Sequence, residues 1–312
     1  MEGSTSTNTN TPPKRVRSSI WSRFLTSKKI APYVFVMPFI ISFLALFFYP
    51  MIQAFNMSFQ QVLPGQVTYV GLSNYERLLN PTFYRALTNT SVYVVFTVVI
   101  LVVFPALFAV FLNSRIVKFR NFFKAALFVP ALTSVIVAGV IFRMIFGETE
   151  AAVANEIIGF FGIAPIDWQY GSISGMFLMV ILCCWRWMGV NILYFLAGLQ
   201  NVPHELYEAA DIDGASAFQK LLYVTIPSLK PVIIFVSTIS IINGFRMFEE
   251  SYVFWEGSSP GNIGLTVVGY IYREGVSQND LGFGAAIGVV LMLVIFIISV
   301  LQLKFVGAFK ED

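Results

Sequence analysis

Six apolar stretches near twenty residues long, separated by polar segments, constrain this chain more than any other feature: 31–49, 90–112, 122–146, 174–199, 231–246 with its flanks, and 283–303. A helix needs about 20 predominantly apolar residues to cross the hydrocarbon core of a bilayer. Outer-membrane strands instead alternate apolar and polar residues over segments of about 10, and the run Val94 to Leu112 does not alternate. The pattern therefore predicts an all-α polytopic membrane protein with six transmembrane helices. Composition agrees, because 57% of the 312 residues are apolar and 12% charged, against roughly 25% charged in soluble domains. A water-soluble globule is excluded. The formal net charge of +3 gives no reason to expect a nucleic-acid partner, and the adjacent Cys183 and Cys184 cannot form a disulfide framework.

Residues 1–30 read as a polar tail that turns basic through Lys14, Arg15, Arg17, Arg23, Lys28 and Lys29. The apolar run after it is long for a signal peptide and lacks a small-residue cleavage site, so it reads as a retained first span opening a transmembrane domain over 31–312. Six spans put both termini on one side. Placing the tail, 113–124, 200–231 and the C-terminus in the cytoplasm collects 14 of the 20 Lys and Arg there, as the positive-inside rule requires. Residues 147–172 are expected to form an outward loop with a short helix. No internal repeat is apparent.

The loop at 200–231 carries the most information. Pro203 can open a helix in its first turn, which places Glu205, Glu208 and Asp211 on one face at three-residue spacing. Gly214 can adopt the left-handed conformation that ends a helix, and a second short helix then runs to Pro227. The expected product is a surface helix-turn-helix with an acidic face. Glu208-Ala209-Ala210, then Gly214 after three intervening residues, then Val224-Thr225-Ile226-Pro227, resembles the EAA loop of the membrane subunits of binding-protein-dependent ABC importers. Asp213-Gly214-Ala215 is similar to the variant in carbohydrate importers. The resemblance implies that Glu205, Glu208, Ala209, Ala210, Asp211, Asp213, Gly214 and Ala215 couple the chain to an ATPase.

Ala31-Pro-Tyr-Val-Phe-Val-Met-Pro, Tyr49-Pro50, Met57-Ser-Phe, Tyr69-Val-Gly-Leu-Ser-Asn-Tyr-Glu-Arg and Ala86-Leu-Thr-Asn-Thr extend the likeness to the maltose F-type permease subunits. Trp185-Arg-Trp-Met-Gly, Phe245-Arg-Met-Phe-Glu-Glu-Ser-Tyr and Ser259-Pro-Gly-Asn-Ile-Gly-Leu-Thr resemble permeases for arabino-oligosaccharides. One departure is Gly257-Ser-Ser-Pro, where many sugar permeases carry Gly-Gly-Pro. This family resemblance implies a second related permease of the G type, two copies of a sugar-importer ATPase, dedicated or shared, and an extracytoplasmic sugar-binding lipoprotein. This chain would bind no cofactor itself, with ATP and Mg held by the ATPase.

Polar groups inside spans are expensive and mark candidate function. Ser237, Ser240, Asn243 and Gly244 share a face of the fifth span at helical spacing. The fourth supplies Trp185, Arg186, Trp187, Asn191 and Tyr194. Aromatic platforms with hydrogen-bonding groups suit the C–H faces and hydroxyl edges of a sugar, although small residues also serve helix packing and aromatics form interface belts. The family resemblance puts the sugar on these two helices. Arg246 has Glu249 and Glu250 at the spacing for intrahelical pairing; the alternative is that Arg186 or Arg246 recognises an acidic sugar. Lacking a phosphate-loop motif, the chain is expected not to be an ATPase. His204 is the single histidine, so no His-based catalytic or metal site is expected. The loop location of most acids argues against a proton-coupled carrier or an intramembrane hydrolase.

Overall fold

The computed structural model describes residues 29–306 apart from Arg115 and Ser258, and the chain divides into two units, 1–53 and 54–312. The expected basic tail lies almost wholly outside the described residues. The described part of the first unit is essentially one helix, α1 (Ala31–Met57), which continues past Tyr49. Its mean hydropathy of 2.2, apolar on every side, is the pattern of a segment surrounded by lipid. Pro50, which has no N–H to give, comes after a wide turn at Leu44–Phe48 where Tyr49 N–H reaches back to the Leu44 carbonyl.

The second unit opens with a two-stranded hairpin that periodicity did not suggest, β1 (Gln60–Leu63) paired antiparallel with β2 (Gln66–Tyr69). Buried Asn74, in helix α2 (Ser73–Arg77), donates to the carbonyls of Ser58 and Gln60 and so ties the hairpin down. Helix α3 (Pro81–Asn113) starts where the Asn80 side chain accepts from Phe83 N–H and Pro81 occupies the first turn, both favourable start signals. Ala86, Thr90, Tyr93, Thr97, Leu101, Pro105, Ala109 and Leu112 recur at three- and four-residue spacing along it, forming the buried stripe. That stripe packs on α7 (Ser172–Leu199) and α10 (Lys230–Phe245).

Two of the six expected spans are bent. The 122–146 stretch breaks into α4 (Arg120–Leu132) and α5 (Val135–Ile145), which meet at 96°. Pro130 withdraws one helical hydrogen bond, Thr133 N–H turns back to the Pro130 carbonyl, and Thr133 and Ser134 take extended ψ values. The fifth span likewise joins α9 (Ala217–Ser228) to α10 at 66°, with Pro227 and Pro231 flanking the break. Among the described residues, four unbroken helices and these two bent pairs are long and apolar enough to cross a membrane.

Between α5 and α7 lies the expected short helix, α6 (Val153–Gly159), where buried Asn155 accepts from Trp168 Nε1 at 2.7 Å. After α10 come α11 (Glu249–Phe254), α12 (Val267–Ile271) with a wide turn through Ser277, and the last span α13 (Leu281–Phe305). One close approach fixes the α4–α7 crossing. A Cβ added at Gly189 would lie 1.9 Å from the Leu127 carbonyl oxygen, so only glycine lets these backbones meet.

Candidate functional site: a coupling loop and the path wall above it

The coupling loop is built almost entirely from local rules. Helix α8 (His204–Ile212) begins after Pro203 and presents Glu205, Glu208 and Asp211 along one exposed face, with Ile212 87% exposed beside them. It stops at Gly214, whose φ of +72° carries the chain into the left-handed region. Ala215 N–H then reaches the Ala210 carbonyl at 2.9 Å, the six-to-one bond of a Schellman ending. Ser216 and Gln219 cap the next helix reciprocally. Ala210 and Ala215 are half-buried, while Glu205, Glu208, Ala209, Asp213 and Gly214 are exposed.

Two contacts tether α8 to α9. Lys220 Nζ bonds Asp211 Oδ1 at 2.5 Å, and the Tyr207 hydroxyl lies 3.0 Å from Thr225 Oγ1, which is buried. The ion pair is open to solvent and contributes little; the Tyr207–Thr225 contact reaches the base of the fifth span.

At the level of the fourth and fifth spans the structure sorts the candidate path residues into two groups. Asn191 is buried and its Nδ2 donates to the Leu101 carbonyl at 3.0 Å. Pro105 explains this use: it sits where the N–H for the Leu101 carbonyl would be and has none. Ser237 bonds Gln302 of α13 at 2.9 Å, and Gln302 also accepts from Thr238. Asn191 and Ser237 therefore hold helices together rather than facing an opening.

Arg186 is likewise internal. It pairs with Glu250 at 2.7 Å, with both side chains largely buried at 11% and 13% exposure. This corrects the expectation that Glu250 pairs with Arg246. Helix α10 ends at Phe245, so residues 246 to 250 do not continue its spacing, and Glu250 turns to α7 instead. Burial made the lone arginine of the fourth span seek an acid, a signal present in the sequence, although its partner was not.

The remaining candidates stay open. Trp187 and Tyr194 lie seven residues apart on one side of α7, both exposed, and Tyr194 meets Phe235 of α10 edge-on at 5.2 Å. Asn243 and Arg246 are exposed and Ser240 is half-buried. Among the described residues Arg246 has no carboxylate partner. Trp185 turns to another side, lining an apolar groove of about 800 Å³ with Phe96, Ile100 and Phe104. The open wall thus combines aromatic faces with amide, hydroxyl and guanidinium groups.

Residues 68–309 match the family described as the inner membrane component of binding-protein-dependent transport systems. The chain belongs to this family. It is a multi-pass membrane component of a binding-protein-dependent importer, with ATP hydrolysis assigned to a separate subunit. Over 95% of its length it is 65% identical to the arabinooligosaccharides transport system permease protein AraP of Halalkalibacterium halodurans, covering 93% of that protein. The AraP protein of Bacillus subtilis is 60% identical, with 96% of each chain covered. The fold is similar to that of a chain in the crystal structure of a bacterial alginate ABC transporter in complex with alginate pentasaccharide-bound periplasmic protein. There the TM-score is 0.80 at 20% identity, covering 93% of this chain and 99% of the other.

Proposed function

We propose that this component is the F-type permease subunit of an ATP-driven importer for arabino-oligosaccharides. It pairs with a related G-type permease to enclose the path, and both its termini are cytoplasmic. Two copies of an ATPase, dedicated or shared with other importers, bind beneath with ATP and Mg, and an extracytoplasmic sugar-binding lipoprotein delivers the sugar. The observation that carries the reading is α8: an exposed acidic face ended by Gly214, lying between two spans. Small Ala209, Ala210 and Ala215 allow close approach of a partner, while Glu205 and Glu208 can pair with its basic groups.

Closure of the ATPase pair on ATP would shift α8, and the Tyr207–Thr225 contact would pass that shift to α9 and across the bend to α10. Asn243 at the far end of α10 and Arg246 just beyond it, with Trp187, Tyr194 and Ser240, form the wall offered to sugar. The pore then faces outward to receive sugar, and hydrolysis resets it inward. The substrate assignment rests on the two AraP relatives. A second reading, an acidic oligosaccharide, draws on the exposed guanidinium of Arg246, which has no carboxylate partner among the described residues.

ATP hydrolysis by the complex co-expressed with its second permease and an ATPase, reconstituted in liposomes, tests both parts. Stimulation by binding protein loaded with arabino-oligosaccharide supports the proposal. Stimulation only by a uronate-loaded protein keeps the importer and replaces the substrate, and failure of any ATPase to associate overturns the coupling assignment.

A further inference from the structure

The loop between α10 and α13 encloses a cavity of about 220 Å³ that the coupling and path residues do not use. Phe248, Tyr252 and Tyr272 form one wall, their ring centroids 5.1 to 5.3 Å apart at inclined angles. Tyr252 remains 36% exposed, so its ring is available for stacking. Asn262 stands in the lining with its backbone at φ +57°, its carbonyl held by Asn89 Nδ2 at 2.9 Å. Its Oδ1 accepts from Arg273 at 3.0 Å, and among the described residues no hydrogen bond engages its Nδ2. The cavity lining therefore combines an amide whose Nδ2 makes no hydrogen bond among the described residues with an aromatic corner.

The charges around it are balanced. Arg273 pairs with Glu274 at 3.2 Å, and Glu256 pairs with Arg143 of α5. Hydrogen bonding and charge interaction with Tyr272 raise the Tyr252 pKa, so its phenol stays a neutral donor. Drug-sized ligands occupy roughly 300–1,000 Å³; this smaller space suits a single ring. An apolar face for stacking, hydrogen-bonding edges and no unpaired charge together select a neutral polyhydroxylated ring over an ion.

We propose that this cavity is an outer carbohydrate subsite that holds one ring of a neutral oligosaccharide as it leaves the binding protein for the path. The proposal rests on the substrate class and orientation proposed above. Gly257-Ser-Ser-Pro260, which departs from the usual sugar-permease pattern, borders the cavity through Gly257 and Ser259.

Saturation-transfer NMR with arabinotriose on the complete complex in nanodiscs tests it. Tyr252→Ala and Asn262→Ala should each weaken binding about tenfold, equivalent to about 1.4 kcal/mol. Tyr252→Phe should retain most of the stacking, and the outer signal should persist in Asn243→Ala. An unchanged signal in both Tyr252→Ala and Asn262→Ala would overturn the subsite. So would a variant that weakens binding-protein association alone, because the cavity would then receive a protein side chain. If arabinotriose gives no signal but maltotriose gives one that Tyr252→Ala removes, the subsite stands and the substrate assignment falls. Labelling of Gln278→Cys by a membrane-impermeant maleimide in intact cells supports the orientation; labelling only after permeabilisation overturns the outer placement.

Discussion

The coupling loop and the path wall hang on the same two spans, α7 and α10, yet they are made in opposite ways. In the loop, each feature is settled by residues within a few positions: Pro203 opens α8, Gly214 closes it, and Ser216 and Gln219 cap the next helix. Behind the wall, the internal polar side chains have their duty decided by residues far away in sequence. Leu101 claims Asn191, Gln302 claims Ser237 and Glu250 claims Arg186. A docking surface made of local structure can move as a unit. The long-range bonds behind the wall tie its helices to one another.

Substitutions that remove one half of a long-range bond should therefore cost the most stability. Glu250→Ala leaves the Arg186 guanidinium buried without a carboxylate, and breaking a buried pair in this way typically costs about 3–5 kcal/mol. Thermal unfolding in detergent should show that loss. The double variant Arg186→Met with Glu250→Leu should recover most of it, and no recovery would mean the ion pair is not the source.

Asn191→Ala comes next, leaving the Leu101 carbonyl buried without a donor at about 1–3 kcal/mol. Here the comparison can be sharpened. Adding Pro105→Ala restores the N–H that the helix lacks, so the pair should be less destabilised than the sum of the single changes. Strict additivity in the same unfolding measurement would dissociate Asn191 from Pro105.

Within the loop the order reverses, with small stability effects and large coupling effects. A Cβ at Gly214 meets no neighbour within 4 Å, so the cost of Gly214→Ala is the left-handed backbone, about 1–2 kcal/mol. Pull-down should nonetheless show the two permeases still paired but the ATPase largely lost. Lys220→Ala removes an exposed pair worth about 0.2–1 kcal/mol, and sugar uptake should stay within twofold of the parent, about 0.4 kcal/mol.

This division also explains what the sequence discloses. The six apolar stretches are legible because bilayer thickness sets their length, and the loop because caps and glycine obey short-range rules. The bends at 133–134 and 229 are prefigured by Pro130, Pro227 and Pro231, but their angles of 96° and 66° depend on packing. The short segment Gln60–Leu63 does not announce a hairpin whose anchor, Asn74, lies beyond it. Helical spacing places Asn191, Ser237 and Asn243 among candidates equally. Only the proline on a neighbouring helix and the glutamine on another separate the first two from the third.

Sugar uptake and ATPase retention measured together on Glu208→Ala and Asn243→Ala, in the same reconstituted complex, test the separation of docking from passage most directly. The account predicts that Glu208→Ala loses the ATPase and with it uptake, whereas Asn243→Ala keeps the ATPase and its hydrolysis but loses most uptake. Full ATPase retention and uptake in Glu208→Ala, or ATPase loss in Asn243→Ala, would contradict it.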